Sequence, residues 1–274
     1  MEKKFFCIRG YMKSGTNWVC RILNCHNTID CVGEFHWESF FTALHNNSSR
    51  IAPKRKDNYL STVRPNLELM IQNSLLQFAD PDAKWIGDRT PTTLEPLILQ
   101  GAPYVVMIRD IRDVLVSRMF HLYNHPRVTT VFDQYPEMKT RLMNFQEDPW
   151  YFKEHPTQLL DNEEIVRTSA AEWASFLKRD QLTQQNQSQL KVKNIRYEDL
   201  HSDFLPTARS LFEFLGCTPP EKFPNRVLPG LATESPNQLN RKGIVGDWEN
   251  YMDDKCLAWI RQEAGDEMEK WGYR

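Results

Sequence analysis

The feature that most limits the fold of this chain is a short glycine-containing loop between an apolar run and a helical pattern near the N-terminus. The apolar run at residues 5–9 has strand character, and the loop Gly-Tyr-Met-Lys-Ser-Gly follows it at residues 10–15. Apolar residues at helical spacing begin at Trp18. The free N–H groups and the positive end of a helix that starts in such a loop favour bound anions. The sequence therefore predicts an anion site where a first strand passes into a helix.

The position of the loop lysine separates this loop from that of ordinary nucleoside triphosphatases. The Walker A pattern places a lysine directly after its second glycine. Here Gly10 and Gly15 keep the glycine spacing, but Thr16 follows Gly15 and the lysine stands earlier, at Lys13. We therefore expect the loop to hold a phosphate-like group without acting as a triphosphatase loop.

Strand and helix patterns alternate along the rest of the chain, which is typical of a parallel sheet covered by helices. Strands are predicted near residues 30–32, 84–87, 104–108 and 190–197, and helices near residues 16–26, 67–78, 94–98, 113–123, 163–179, 206–215 and 254–270. Residues 125–160 are rich in proline and aromatics and predict a long irregular segment, either an acceptor lid or a poorly ordered loop. The sequence thus predicts an α/β fold, a central parallel sheet in a P-loop-like three-layer sandwich, with one domain over residues 1–274.

Composition argues against several classes of protein. The formal net charge of −2 over 274 residues gives no global basic field suited to nucleic acid. No apolar run is long enough for a membrane span or a signal peptide. The six cysteines show no C-x-x-C pair and no metal-ligand spacing, so we expect them to be reduced. These observations predict a cytoplasmic protein with neither a nucleic-acid nor a membrane partner.

Three segments resemble the signature segments of the sulfotransferases that use 3′-phosphoadenosine 5′-phosphosulfate (PAPS). Lys-Ser-Gly-Thr-Asn-Trp at residues 13–18 resembles their 5′-phosphosulfate loop, and residues 109–117, from Arg109 to Ser117, resemble their 3′-phosphate segment. Arg-Lys-Gly-Ile-Val-Gly-Asp-Trp at residues 241–248 matches their R-K-G-x-x-G-D-W loop. The three segments occur in the family's order and span most of the chain.

This resemblance implies that PAPS is the donor and that 3′-phosphoadenosine 5′-phosphate (PAP) is its product. It implies a lysine at the oxygen where leaving-group charge develops, and arginines that grip the 3′-phosphate with their planar forks. The implied donor-binding residues are Lys13, Ser14, Gly15, Thr16, Asn17, Trp18, Arg109, Ser117, Tyr197, Arg241, Lys242 and Gly243. Trp18 and Tyr197 are interpreted as adenine contacts or, alternatively, as core residues. The chemistry requires no metal, and no carboxylate pair suited to Mg²⁺ stands out in the sequence.

The general base is expected just after the second strand. The small-molecule branch of the family uses a histidine in K-T-H-L-P, whereas residues 87–91 read Gly-Asp-Arg-Thr-Pro here. Resemblance to the glycan and tyrosyl-protein branches implies Glu34 as the catalytic base, with His36 orienting or assisting it. His121 is the reserve candidate for the base.

The acceptor is the part of the function that the sequence constrains least. The predicted acceptor contacts are Glu34, His36, Trp37, Arg89 and Tyr123, and residues 231–239 are predicted to add to the lining. Their mixture of aromatic and acidic groups favours a polar or cationic small molecule that presents a hydroxyl. An amine, a carbohydrate and a tyrosyl group stay open as acceptors, as does the oligomeric state.

Two other functions are alternatives. A P-loop kinase would need a lysine after Gly15 and a carboxylate for Mg²⁺, and it would leave residues 241–248 without an explanation. A catalytically inactive nucleotide-binding module would keep the phosphate clamps but lose the base.

Overall fold

The computed structural model describes residues 2–48, 50–51, 53–95, 98–126, 130–230 and 242–274. The strands are β1 (Lys4–Gly10), β2 (Ile29–Gly33), β3 (Trp85–Arg89), β4 (Tyr104–Ile108) and β5 (Val192–Arg196). The helices are α1 (Thr16–Leu23), α2 (Glu38–Ser48), α3 (Pro53–Phe78), α4 (Ile111–Asn124), α5 (Val131–Gln134), α6 (Pro136–Glu147), α7 (Tyr151–Glu154), α8 (Glu163–Asn186), α9 (Tyr197–Ser202), α10 (Phe204–Phe214) and α11 (Asp254–Lys270). Short 3-10 turns occur at Pro156–Leu159, Asn225–Val227 and Asp247–Asn250.

The chain divides into two compact units. The first comprises Met1–Tyr11, Gly15–Ile108 and Arg179–Val227, and the second comprises Met12–Ser14, Arg109–Lys178 and Leu228–Arg274. The idea of a single domain over residues 1–274 stays a prediction.

The first unit contains the sheet, whose strand order is β2-β3-β1-β4-β5 with every neighbouring pair parallel. In the centre, Cys7 of β1 pairs with Asp88 of β3 and with Tyr104 of β4. All five residues of β4 are buried, as expected for a strand covered on both faces. Helix α1 packs against β1, β2 and β3, and α3 contacts β3. The predicted fold class, a parallel sheet flanked by helices, is confirmed.

The start of α1 follows from the loop glycine. Gly15 adopts a left-handed conformation, with φ 97° and ψ 15°, and Thr16 begins the helix directly after it. Val19, Ile22 and Leu23 then form the buried face of α1, which packs on β1 and β2 and also contacts α10.

The second unit is built around α4 and a cluster of aromatic rings. Phe120 and Tyr123 of α4 contact Phe145 of α6 and Phe152 of α7, with ring centroids 4.7–6.2 Å apart. Each of these side chains is at most 5% exposed, so the cluster forms an apolar core.

The prediction of a long irregular segment at residues 125–160 was wrong. Within its described part the chain forms α5, α6, α7 and a 3-10 turn. Pro136 and Pro156 stand in the first turn of a helix, where proline is tolerated, rather than in a loop. Phe132, Phe145 and Phe152 of this segment are buried in the second unit, whereas Trp150 is 41% exposed.

Other predicted elements shift or differ. The structure adds α2 and extends α3 back to Pro53, although α3 contains Pro65. The predicted helix at residues 94–98 is not helical at 94, 95 and 98, and residues 96–97 lie outside the described residues. None of the helices in the described part of the chain is both long and apolar enough to cross a membrane.

Candidate functional site

Both loop glycines occupy positions where the first unit leaves no room for a side chain. A Cβ at Gly10 would lie 2.6 Å from the carbonyl oxygen of Met107, and a Cβ at Gly15 would lie 2.6 Å from Cδ2 of Tyr197. Gly10 and Gly15 also have φ of 151° and 97°, which disfavour other residues. The glycine spacing is therefore required by packing and by backbone conformation together.

Beside Gly15, the first unit carries a group of aromatic rings in edge-on and tilted contact. The Trp18 ring lies 5.2 Å from Tyr197 and 4.8 Å from His201, and its Nε1 donates to the carbonyl of Val227 at 2.7 Å. Trp18 is half-buried, whereas Tyr197 is 6% exposed. The two predicted adenine contacts thus lie in one aromatic cluster, and their role in binding stays untested.

The predicted donor residues next to these rings differ in exposure. Thr16 is buried at the start of α1, and Asn17 is exposed one residue later. The loop therefore offers a solvent-facing amide group close to the free N–H groups of the helix end.

The first unit brings Glu34, His36 and Arg89 together. Glu34 follows β2 and Arg89 ends β3, and because parallel neighbours end at the same sheet edge, the two side chains meet there. Arg89 Nη1 lies 2.7 Å from Glu34 Oε2, and His36 Nε2 lies 3.3 Å from Glu34 Oε1. His36 Nδ1 also lies 3.1 Å from Glu38 Oε1. Each Glu34 oxygen thus has its own partner, while 30% of the side chain stays exposed.

Trp37 stands beside this cluster. Its ring stacks on Phe35 at 5.4 Å, and the ring of Phe40 lies 5.9 Å away. Phe40 is 46% exposed, so an apolar surface borders the charged groups. This surface is where the predicted acceptor contacts of the first unit lie.

In the second unit, one arginine joins the three signature segments. Arg109 Nη1 donates to the carbonyl of Lys13 at 3.1 Å, and Arg109 Nη2 donates to the carbonyl of Ile244 at 3.2 Å. These residues are 96 and 135 positions away from Arg109 in the chain. Lys13 has a φ of 64°, so its backbone is in the left-handed region. Such a residue turns the chain sharply and can direct successive backbone N–H groups toward an anion.

Ser14 is the most enclosed side chain of this loop. The residue is 0% exposed, and its Oγ is buried without a hydrogen-bond partner among the residues that the structure describes. A buried hydroxyl of this kind costs about 1–3 kcal/mol unless a partner satisfies it.

The structure reveals a role for Asp113 that the sequence did not assign. Its Oδ2 accepts from the backbone N–H of Gly246 at 2.8 Å, and its Oδ1 accepts from that of Trp248 at 3.1 Å. The side chain is 1% exposed, and burial raises the pKa of Asp113 while the charge of Arg109 opposes that shift. The position of Asp113 inside the 109–117 motif was the signal in the sequence that could have pointed to this contact.

The 242–248 segment is held by further charged contacts. Lys242 Nζ pairs with Asp247 Oδ1 at 3.0 Å, and the Arg112 guanidinium lies 4.0 Å from the Trp248 ring centroid. Gly243 has a φ of 61°, which favours glycine there. Arg241, the predicted partner of Arg109 on the 3′-phosphate, lies outside the described residues.

Ser117 is half-buried on α4. His121 lies on the same helix, one turn later. Burial first, and then the charges of Lys13 and His125, lower the pKa of His121 to about 4. Its Nδ1 is buried and makes no hydrogen bond within the described chain. The imidazole is therefore neutral at neutral pH and lies within electrostatic reach of Lys13.

Tyr123 is the predicted acceptor contact that points into a core. The residue is 2% exposed and its ring lies 4.7 Å from Phe152. Burial raises the pKa of its hydroxyl above the usual range. In this arrangement Tyr123 packs within the aromatic cluster, and a contact with acceptor is not tested.

Among the described residues, no group of three or more His, Cys, Asp or Glu side chains is placed to hold a metal ion.

Comparison with known proteins identifies a family. The sequence matches the family model described as a sulfotransferase domain over residues 3–272. A search of curated proteins gives no match.

Solved structures share the fold at low sequence identity. Retinol dehydratase in complex with androsterone and the inactive cofactor PAP is 17% identical, with 100% of this chain and 83% of that chain covered and a TM-score of 0.50. The sulfotransferase domain from the curacin biosynthetic pathway is 15% identical, with 100% and 99% covered and a TM-score of 0.50. A sulfotransferase from Mycobacterium avium is 10% identical, with 100% and 78% covered and a TM-score of 0.50.

Proposed function

The chain belongs to the sulfotransferase family, and from that premise we propose that it transfers a sulfonate group from PAPS to a hydroxyl of a small-molecule acceptor, with Glu34 as the general base. An amine in place of the hydroxyl would use the same machinery. The proposal includes a cytoplasmic location and no requirement for a metal.

The observation that carries the proposal is the meeting of three distant segments at Arg109. Its guanidinium binds the carbonyls of Lys13 and Ile244, so the lysine loop and the glycine loop after Lys242 are fixed to one side chain. Guanidinium has five donors in a planar fork, a geometry that matches phosphate oxygens. A purely structural ion pair would not need two glycine-containing loops at the same arginine.

The residues of the second unit fit a bisphosphorylated ligand. The buried Ser14 hydroxyl offers a donor that no described protein group uses, and Lys13, Arg109 and Lys242 supply positive charge. We propose that Lys13 and Ser14 hold the 5′-phosphosulfate, and that Arg109, Ser117, Lys242, Gly243 and Arg241 hold the 3′-phosphate. The donor, when bound, supplies the sulfonate, with PAP as the leaving group. Lys13 would then stabilise the negative charge that develops on the leaving oxygen.

The residues of the first unit complete the proposed donor contacts. Gly15, Thr16 and Asn17 would add backbone and side-chain donors to the 5′-phosphate, and Trp18 and Tyr197 would contact adenine. Their support is the family signature at residues 13–18 together with the aromatic cluster beside Gly15.

Glu34 is supported as the base by the way its carboxylate is held. Arg89 and His36 each contact one oxygen, which fixes the carboxylate's orientation while leaving it partly exposed. A carboxylate oriented in this way is a suitable group to take the acceptor's proton. Arg89 and His36 would act as positioning residues, and the apolar surface at Trp37 would contact the acceptor.

His121 is a second candidate for the base, favoured by a specific observation. Its imidazole is neutral, and its Nδ1 has no hydrogen-bond partner in the described residues. A pKa of about 4 makes the His121 imidazole about as strong a base as an ordinary carboxylate, so the support for Glu34 is the contacts that orient it rather than basicity.

Binding of PAP tests the donor assignment. We expect calorimetry to detect PAP binding without Mg²⁺, and Lys13→Ala to weaken it by about tenfold or more, because a charge-assisted contact is lost. Lys139→Ala, which changes an exposed lysine on α6, is the matched control. A preference for ATP with Mg²⁺ over PAP would refute the proposal and favour a kinase.

Turnover tests the base. With PAPS and a pool of hydroxyl acceptors, Glu34→Gln should keep PAP affinity and lose about 10²–10⁴-fold in kcat, the usual contribution of general base catalysis. If Glu34→Gln turns over normally and His121→Asn loses that factor instead, the role belongs to His121.

A further inference from the structure

Two cysteines of the first unit lie against each other beside Arg89. Cys20 is on α1, Cys31 is on β2, and Cys20 Sγ lies 3.6 Å from the carbonyl oxygen of Cys31. Asn24, one turn after Cys20, holds the same strand residue: its amide donates to the Cys31 carbonyl at 3.3 Å, and its Oδ1 accepts from the Cys31 N–H at 2.8 Å. The side chains at i and i+4 share one helix face, so the contact with Asn24 fixes Cys20 over Cys31.

The two cysteines differ in exposure and in the electrostatics of their thiols. Cys20 is half-buried, whereas Cys31 is 5% exposed. Interaction with the Cys31 side chain lowers the pKa of Cys20, and the charge of the Arg89 guanidinium lowers it further, while burial opposes the shift. The same interaction and burial raise the pKa of Cys31 well above its usual value. A thiolate beside a cation is the reactive form of cysteine, and an adjacent thiol is the partner that resolves its oxidation.

We propose that Cys20 and Cys31 form a peroxide-sensitive dithiol in which Cys20 is the attacking thiol and Cys31 the resolving thiol. The Cys20 thiolate attacks one oxygen of a hydroperoxide, the O–O bond breaks, and Cys20 becomes a sulfenic acid as hydroxide (or alkoxide) leaves and takes a proton. Cys31 sulfur then attacks the Cys20 sulfur, the S–O bond breaks, and water leaves with the Cys31 proton. With hydrogen peroxide, two thiols and one peroxide give one disulfide and two waters.

The other cysteines do not share this environment. Cys25 and Cys217 are half-buried, and burial raises the pKa of each. Cys7 and Cys256 are buried, with pKa values raised to about 12. Oxidation should therefore be selective for the pair.

The pair is connected to the proposed base. Arg89 pairs with Glu34 at 2.7 Å, and its charge also acts on the Cys20 thiol, whereas a disulfide sulfur carries no charge. Oxidation would therefore remove a charge interaction that helps to position Arg89 against Glu34. This consequence rests on the proposed function, whereas formation of the disulfide does not.

Oxidation of the full chain tests the proposal. The folded protein is treated with equimolar hydrogen peroxide, free thiols are then alkylated, and peptides are mapped by mass spectrometry. We expect a Cys20–Cys31 bridge with the loss of two hydrogens, with Cys25 still alkylated and full reversal by dithiothreitol. Cys31→Ser should leave a sulfenic acid on Cys20 that reacts with dimedone, and Cys25→Ser is the matched control that should form the bridge like wild type.

Several results would overturn the proposal. In the folded wild type, oxidation of Cys25 at the same rate as Cys20, or conversion of Cys20 to sulfinic acid with Cys31 still alkylated, would each do so. The wild-type map decides the matter even if Cys31→Ser does not fold. In a turnover assay the bridged protein should lose about tenfold in kcat and regain it with reductant, as for loss of one interaction of a charged group. An untreated protein without any sulfonate transfer would instead refute the proposed function and leave the bridge result intact.

Discussion

Replacing Asp113 by asparagine perturbs the contact that holds residues 246–248 to α4. The carboxylate accepts one hydrogen bond from the Gly246 N–H and one from the Trp248 N–H, and the side chain is 1% exposed. Asparagine has nearly the same shape but presents an amino group where one oxygen stood. One buried N–H then faces another donor, and the remaining bond loses its charge.

The magnitude follows from these two contacts. A hydrogen bond to a charged group contributes about 1.5–3 kcal/mol, and an unsatisfied buried donor costs about 1–3 kcal/mol. Burial also raises the pKa of Asp113, which means that desolvation of the carboxylate already offsets part of the gain, and asparagine avoids that cost. We therefore expect Asp113→Asn to lower the free energy of unfolding by about 2 kcal/mol.

Two measurements test this expectation. Urea unfolding followed by tryptophan fluorescence gives the loss of stability, with Asp133→Asn as a matched control because the Asp133 side chain is 76% exposed. Calorimetry with PAP should show an affinity about tenfold lower, because the segment that carries Lys242 is less often in its binding arrangement. If Asp113→Asn unfolds at the urea concentration of wild type, the reasoning about the two hydrogen bonds is refuted. Lower stability with unchanged PAP affinity would refute only the link to donor binding.

Three further expectations follow from single positions. Gly15→Ala should lower the free energy of unfolding by about 2 kcal/mol or more in a urea titration, since its φ is 97° and its Cβ would lie 2.6 Å from Tyr197; a neutral effect would contradict the packing argument. Ser14→Ala should leave stability unchanged or slightly higher while PAP affinity falls about tenfold, because its buried hydroxyl has no partner in the described part of the chain; a clear loss of stability would point to a structural hydroxyl. Burial raises the pKa of Asp180 from 3.8 to about 7, so its protonated form stabilises the fold and that contribution fades as pH rises from about 4 to 7. Asp180→Asn, which keeps an acceptor for the Leu94 N–H, should therefore show a smaller stability drop between pH 5 and 8 than wild type, and equal drops would contradict this assignment.

The strand and helix pattern was readable because it depends on residues close together in the chain. The apolar run that became β4 and the helical stripes of α4 and α11 were predicted within a few residues of their observed bounds. The segment at residues 125–160 misled because proline and aromatic content is typical of loops. Its helices are short, and the burial of Phe145 and Phe152 against α4 stabilises them more than local propensity does.

The sequence by itself determined the family, the sheet with its flanking helices and the position of the glycine loop, because these depend on local spacing and on short motifs. Only the tertiary structure decided that Arg109 joins Lys13 to Ile244, that Arg89 holds Glu34, and that Cys20 lies on Cys31. The Glu34 and Arg89 side chains are 55 positions apart in the chain, and they meet because β2 and β3 are neighbours that end at the same edge of the sheet. Strand order brings such residues together, and no spacing within the sequence records it.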